Sequence, residues 1–151
     1  MNAPGPHSYV TCRVGELLVG IPLARIQEIN RLVDATFVPR VPRTVKGLIN
    51  LRGNLVTVLD LVRILHDRDA VVGRDSRNVI VDYEGERLGL IVDAVGDVAT
   101  CDGLPIEPLP SHLEPAQARW FEGLVQYERG ILLVLSVDAV LLAQGVAEAS
   151  A

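Results

Sequence analysis

Four stretches of the chain repeat one device: a short run of alternating apolar and polar residues, a glycine, and a second such run. The clearest is Val79–Tyr83, a turn through Glu84, Gly85 and Glu86, then Arg87–Val92. Ile49–Leu59 repeats it around Gly53, Leu124–Leu135 around Gly130 and, more weakly, Tyr9–Ile21 around Gly15. Alternation at period two sets one face of a strand against a core, and a glycine at the break allows a tight turn, so each stretch predicts a β-hairpin. Four hairpins require at least eight strands, mostly antiparallel. Strands this short must hide their edges by closure or stacking, which points to one or two small barrels sharing a core. Such barrels fit better than an open α/β sheet, because no helical pattern is long enough for a series of βαβ crossovers.

A second regularity follows the hairpins. Asp60, Asp93 and Asp138 come seven or eight residues after Gly53, Gly85 and Gly130. Aspartate in that place suits a helix N-cap, ahead of LVRIL, AVGDV and AVLLA respectively. Pro22 takes the corresponding place before LARIQEI and suits a first helical turn, which would put Ile26 and Ile29 on one side with Glu28 at the rim of the core. The expected unit is strand, glycine turn, strand, then a turn or two of helix or bend. Uneven spacing argues against a solenoid. Two connections differ: Val38–Val45 is spaced by Pro39 and Pro42, and 99–118 carries Pro105, Pro108, Pro110 and Pro115. Proline removes backbone donors, so both should run over the surface or wrap a barrel instead of sitting in a central strand, with a turn of helix near Pro115–Trp120. Trp120 and Phe121 are adjacent, so only one is expected to point fully inward from a regular strand. Residues 1–8 and 146–151 are expected as tails, leaving a domain over 9–142.

The size suits this plan. A chain of 151 residues that is 49% hydrophobic buries about two thirds of its unfolded surface without disulfide staples, and with 4% aromatic residues its core must be Val, Leu and Ile. Its most apolar stretch, 131–147, is broken by Asp138 into pieces too short to cross a bilayer, and its first residues lack a signal-peptide pattern, so a cytoplasmic location is expected. The net charge of −5 argues against a broad nucleic-acid surface. Its arrangement is more informative: 35–59 holds Arg40, Arg43, Lys46 and Arg52 with no acid, whereas 78–114 holds eight acids against Arg87 alone. Opposed patches of this kind orient partners.

Catalytic and metal chemistry find no support. His7, His66 and His112 are scattered, and no HExxH, HxH or Cys/His cluster occurs. Cys12 and Cys101 form no CxxC pair and read as small apolar filler. There is no GxSxG elbow, and Gly85-Glu86-Arg87-Leu88-Gly89 turns strand into strand between acids, unlike a phosphate cradle. No carboxylate pair is singled out for acid–base hydrolysis, and no cofactor is implied. Arg52, at a hairpin tip beside Gly53, is either a solvated turn residue or a long arm reaching out from a rigid platform.

The segment PRVPRTVKGLINLRGNLVTVLDL, Pro39–Leu61, resembles the hallmark segment of CheW-like domains, the coupling proteins of bacterial chemosensory systems. Agreement continues at Ile26–Ile29, Leu88–Val95, Ile106–Pro110, Phe121–Leu124 and Gly130–Asp138, covering roughly Tyr9–Leu142. The resemblance implies two small five-stranded, SH3-like β-barrels around a shared hydrophobic core, with short helices. It implies a non-catalytic adaptor that links the cytoplasmic tip of a methyl-accepting chemoreceptor to the regulatory domain of a histidine kinase, recruited to membrane-associated receptor arrays without membrane insertion. By similarity, Ile26, Glu28 and Arg52 match receptor-binding positions, Gly47 and Gly53 support the turns that place Arg52, and the kinase uses an apolar barrel end whose residues are not assigned. Thr57 stands where the family often has proline, and Val62 where arginine is usual. A regulatory domain of a pilus-linked or other non-flagellar system capturing a different partner is the alternative, and a small hydrolase a distant one.

Overall fold

Each predicted hairpin forms, and two further strands bring the described total to ten. The computed structural model describes residues 7–32, 35–36 and 39–144. In chain order these give β1 (Ser8–Val14), β2 (Leu17–Pro22), a 3-10 turn at Leu23–Arg25, β3 (Ile26–Arg31), β4 (Val45–Leu51), β5 (Asn54–Asp60) and α1 (Leu61–His66). Then come β6 (Arg77–Tyr83), β7 (Glu86–Val92), β8 (Ala94–Thr100), α2 (Pro115–Ala118), β9 (Phe121–Tyr127), β10 (Gly130–Leu135) and α3 (Val137–Ala143). They build two five-stranded sheets, β8-β1-β2-β10-β9 and β3-β6-β7-β5-β4.

The two sheets follow one plan. In each, two antiparallel hairpins meet through a parallel contact, β2 beside β10 and β7 beside β5, and a short helix follows one of them, α3 after β10 and α1 after β5. The loop after each edge strand returns to the opposite edge through one bridge, Thr36 to Leu48 and Glu107 to Leu124. The sheets are therefore curled and SH3-like, and stop short of the closed barrels expected. The chain is exchanged between them: β1–β2 belong to the first sheet, β3 to β7 to the second, and β8 to β10 return to the first. The expected shared core is real. Cys12, Val14, Val19 and Ile21 of one sheet pack in a single cluster with Leu59, Val79, Leu88 and Leu90 of the other, closed over by Leu61 and Leu65 of α1 and Val140 and Leu141 of α3.

Asp60 caps α1 as expected, its Oδ1 accepting from Arg63 N at 3.0 Å. The other cap expectations change. LARIQEI is helical only over Leu23–Arg25, because Ile26–Arg31 pair with β6 and alternate between half-buried and exposed. Pairing with a neighbouring strand outweighs weak local helix preference, and isoleucine suits a pleated surface. Asp93 caps no helix; AVGDV lies within β8, and the Asp93 carboxylate accepts from Gly15 N at 2.7 Å. Ser136, rather than Asp138, caps α3, and Asp138 pairs with Arg25 at 2.8 Å. Trp120 and Phe121 are both buried, at 6% and 7% exposed, since Trp120 lies in the turn before β9 and escapes strand alternation. Ser8, placed in the expected N-terminal tail, opens β1 and is buried. Residues 1–6 and 146–151 of the expected tails lie outside the described residues.

Candidate functional site

Strand β3 is an edge of the second sheet, and the β4–β5 hairpin forms its other edge. On β3, Ile26, Glu28 and Asn30 alternate with the more exposed Gln27, Ile29 and Arg31. Ile26 is half-buried against the shared core, so its side chain is anchored while the strand's outer edge stays open.

Opposite β3, the two-residue turn Arg52–Gly53 has φ of 52° and 86°. Positive φ at both positions defines the type I′ turn whose twist matches paired strands. Asn50 braces it, its Oδ1 accepting from Gly53 N at 2.8 Å. The β6–β7 turn, Glu84–Gly85, has the same positive-φ pair, so the conformation belongs to the hairpin and not to Arg52 in particular. What distinguishes Arg52 is its reach: its Nη2 donates to Glu28 Oε1, tying the hairpin tip to β3 across the open seam of the sheet. The hydrogen bond from Arg52 is the main reason that the Glu28 carboxyl titrates below its ordinary range; partial desolvation opposes it, and the charges of Arg52 and Arg87 add to it. Exposed Ile29 and Leu55 lie beside the pair in sequence, Leu55 in β5 just after the turn.

The two glycines differ in role. Gly53 lies in the two-residue turn at positive φ and has open space around it. Gly47 lies in no turn: it follows a bulge in β4, with φ of 148°, where a Cβ would run into the Thr36 carbonyl. It permits the Thr36–Leu48 bridge that holds the two edges together. Thr57 sits mid-ladder between Leu48 and Leu88, a place where proline would remove a backbone donor, and Val62 is buried in α1 with no polar role.

Among the described residues, no group of three His, Cys, Asp or Glu is placed to hold a metal. Burial pushes the Cys12 thiol up to about 12 and also raises that of Cys101, with Asp102 adding to the latter, so neither supplies a thiolate nucleophile at neutral pH. Among the described residues no helix is long and apolar enough to cross a membrane.

Residues 8–144 match the model of the CheW-like domain. The chain belongs to the CheW-like domain family. It is similar to the chemotaxis protein CheW of Bacillus subtilis, 30% identical with 80% of this chain and 78% of that protein covered. It is also similar to CheW of Treponema pallidum, 27% identical over 85% of this chain and 78% of its relative. The crystal structure of the scaffolding protein TtCheW from Thermoanaerobacter tengcongensis superposes with a TM-score of 0.78 at 30% identity, covering 90% of this chain and 88% of that one. CheW-like proteins are non-catalytic scaffolds. The family resemblance singled out Ile26, Glu28 and Arg52 one by one; that Glu28 and Arg52 touch was not legible, because the contact spans two sheet edges that nothing local in the sequence brings together. The Asn50 brace was within reach: Asn two residues before Arg52 is a turn-forming side chain.

Proposed function

We propose that the chain couples chemoreceptors to a chemosensory histidine kinase, with a receptor's helical tip docking beside Ile26, Glu28 and Arg52. Membership of the CheW-like family supports the adaptor role. The Glu28–Arg52 pair across the seam is the observation that carries the site. A helix laid along β3 meets apolar surface at Ile26, Ile29 and Leu55, and the charged pair sets its register, since rim charges give specificity more than raw affinity. The kinase's regulatory domain takes a separate, largely apolar face, so receptor and kinase are held together on one rigid body on the cytoplasmic side of a receptor array.

Pull-down and calorimetry with a purified receptor tip and a kinase regulatory domain test this. Reversal of Arg52 to glutamate is expected to weaken receptor binding about tenfold, as for an interface arginine worth 1–2 kcal/mol, and to leave kinase binding and the fold intact. Unchanged receptor affinity in that variant would remove Arg52 from the site. Kinase binding with no affinity for any receptor tip would favour a different helical or peptide partner.

A further inference from the structure

The plan shared by the two sheets extends to single residues. On β3, Ile26 pairs with Val81 and Ile29 with Val79, with a bulge between Ile26 and Glu28. On β8, Val95 pairs with Cys12 and Val98 with Val10, with an irregularity in the same stretch. Ile26 therefore corresponds to Val95, Ile29 to Val98, and Glu28 to Asp97. The β9–β10 hairpin corresponds to β4–β5: Gly123 stands at a bulge as Gly47 does, and a Cβ there would meet the Glu107 carbonyl at 2.5 Å. The turn Glu128–Arg129 occupies the place of Arg52–Gly53.

An ion pair recurs with its basic partner one position later, since Glu128 stands at the place of Arg52 and Arg129 at that of Gly53. Arg129 Nη1 lies 3.2 Å from Asp97 Oδ2, joining a hairpin tip to the opposite edge strand as Arg52 and Glu28 do. The aliphatic neighbours recur too: Val98 and Ile131 are 48% and 57% exposed, where Ile29 and Leu55 are 37% and 69% exposed. Beside Asp97 and Arg129 lies a groove of about 650 Å³ whose lining includes Thr11, Val98, Leu104 and Tyr127.

We propose that this groove is a second helix-docking surface, on the opposite sheet, for an amphipathic helix whose apolar ridge is flanked by lysine or arginine. Recognition of a helix rests on the reading of the Glu28–Arg52 pair given above. The charge preference does not. Asp97 and Glu128 outnumber Arg129 in the groove lining, leaving net negative charge, whereas Glu28 faces Arg52 and feels Arg87 as well. An added β-strand is disfavoured because β8 is irregular and carries a charge at Asp97.

Amide chemical-shift titration of the 15N-labelled full chain tests this, using two synthetic helices with one leucine ridge and either lysine or glutamate flanks. The lysine helix is expected to move the amides of Asp97, Val98, Leu104, Arg129 and Ile131, to bind about fivefold more weakly to Glu128→Lys, and to bind Arg52→Glu as it binds the wild type. No shift in this groove, or binding in which the peptide loses its helical circular dichroism, overturns the proposal. Shifts at Glu28 and Arg52 with the glutamate helix, and none with the lysine helix, overturn this second surface and leave the first reading standing. Shifts in the Asp97 groove with none beside Glu28 for either helix uphold the second surface and remove the first.

Discussion

Asp60 is fully buried, and its carboxylate meets three groups: Arg63 N at the start of α1, Ala70 N at 2.9 Å in the following loop, and Lys46 Nζ at 3.6 Å. Its neighbours supply what desolvation removes, so substitution leaves two backbone donors without an acceptor and Lys46 with only the more exposed Asp69 at 4.0 Å. Asp60→Ala is expected to cost about 3 kcal/mol, read as a fall in urea midpoint at unchanged slope. The cap was legible from the sequence, since an aspartate ahead of LVRIL is a local signal; the bonds to Ala70 and Lys46 were not, because nothing local fixes where a loop or a neighbouring strand returns. Glu28 gives the opposite case, a contact with little bearing on stability. Its folded-state pKa lies below the unfolded value, so what the pair adds is present above the unfolded carboxylate pKa and is lost as pH falls through the folded one. Arg52→Ala is expected to raise the Glu28 midpoint toward the ordinary range of about 4.3, followed by the carboxyl carbon shift in an NMR titration, while leaving stability at pH 7 nearly unchanged. A midpoint that stays put would mean that Arg52 is not the main cause of the shift.

At the scale of elements, the hairpins were readable because each carries its own signal: period-two burial on both sides of a turn glycine. β3 and β8 were not. Each pairs with one strand only, and both read locally as starts of helices, after Pro22 and Asp93, until a neighbouring strand claims them. The parallel contacts of β5 with β7 and β2 with β10 leave no local mark either. Glycines in these elements separate by mechanism. Gly47→Ala places a methyl group against the Thr36 carbonyl at a backbone angle alanine seldom adopts, and is expected to cost about 2–3 kcal/mol and to split the Thr36–Leu48 bridge. Gly53→Ala meets nothing and is expected to cost only about 1 kcal/mol for its positive φ. Thermal melts of the two variants side by side check the difference; equal losses would mean that close approach at Gly47 carries no cost beyond its backbone angle.

For the whole molecule, exchange of hairpins between the sheets has a thermodynamic consequence. Neither half of the chain contains the strands of a complete sheet, since β1–β2 complete the sheet of β8 to β10, and β6–β7 complete that of β3 to β5. Cleavage in the exposed loop at Val71–Val72 would therefore yield fragments 1–71 and 72–151 that are each unfolded alone and regain sheet structure when mixed in equal amounts, measured by circular dichroism. Cooperative unfolding of either fragment by itself would contradict the exchange. Sequence reading reached two five-stranded units with a shared core through the family resemblance, but recurrence of the hairpins by itself could not show which hairpin joins which sheet.

The chain passes between the sheets at Pro22–Ile26 and at Val92–Ala94, and both passages are pinned. Arg25 reaches Asp138 and the Asp82 carbonyl at the first, while Asp93 takes Gly15 N through its carboxylate and Arg13 O through its own amide at the second. With two clamped crossings and one core there is no joint about which one sheet could swing. The angle between the two seams is thereby a constant of the molecule, and any lattice assembled on them takes its geometry from the adaptor instead of adjusting to its neighbours.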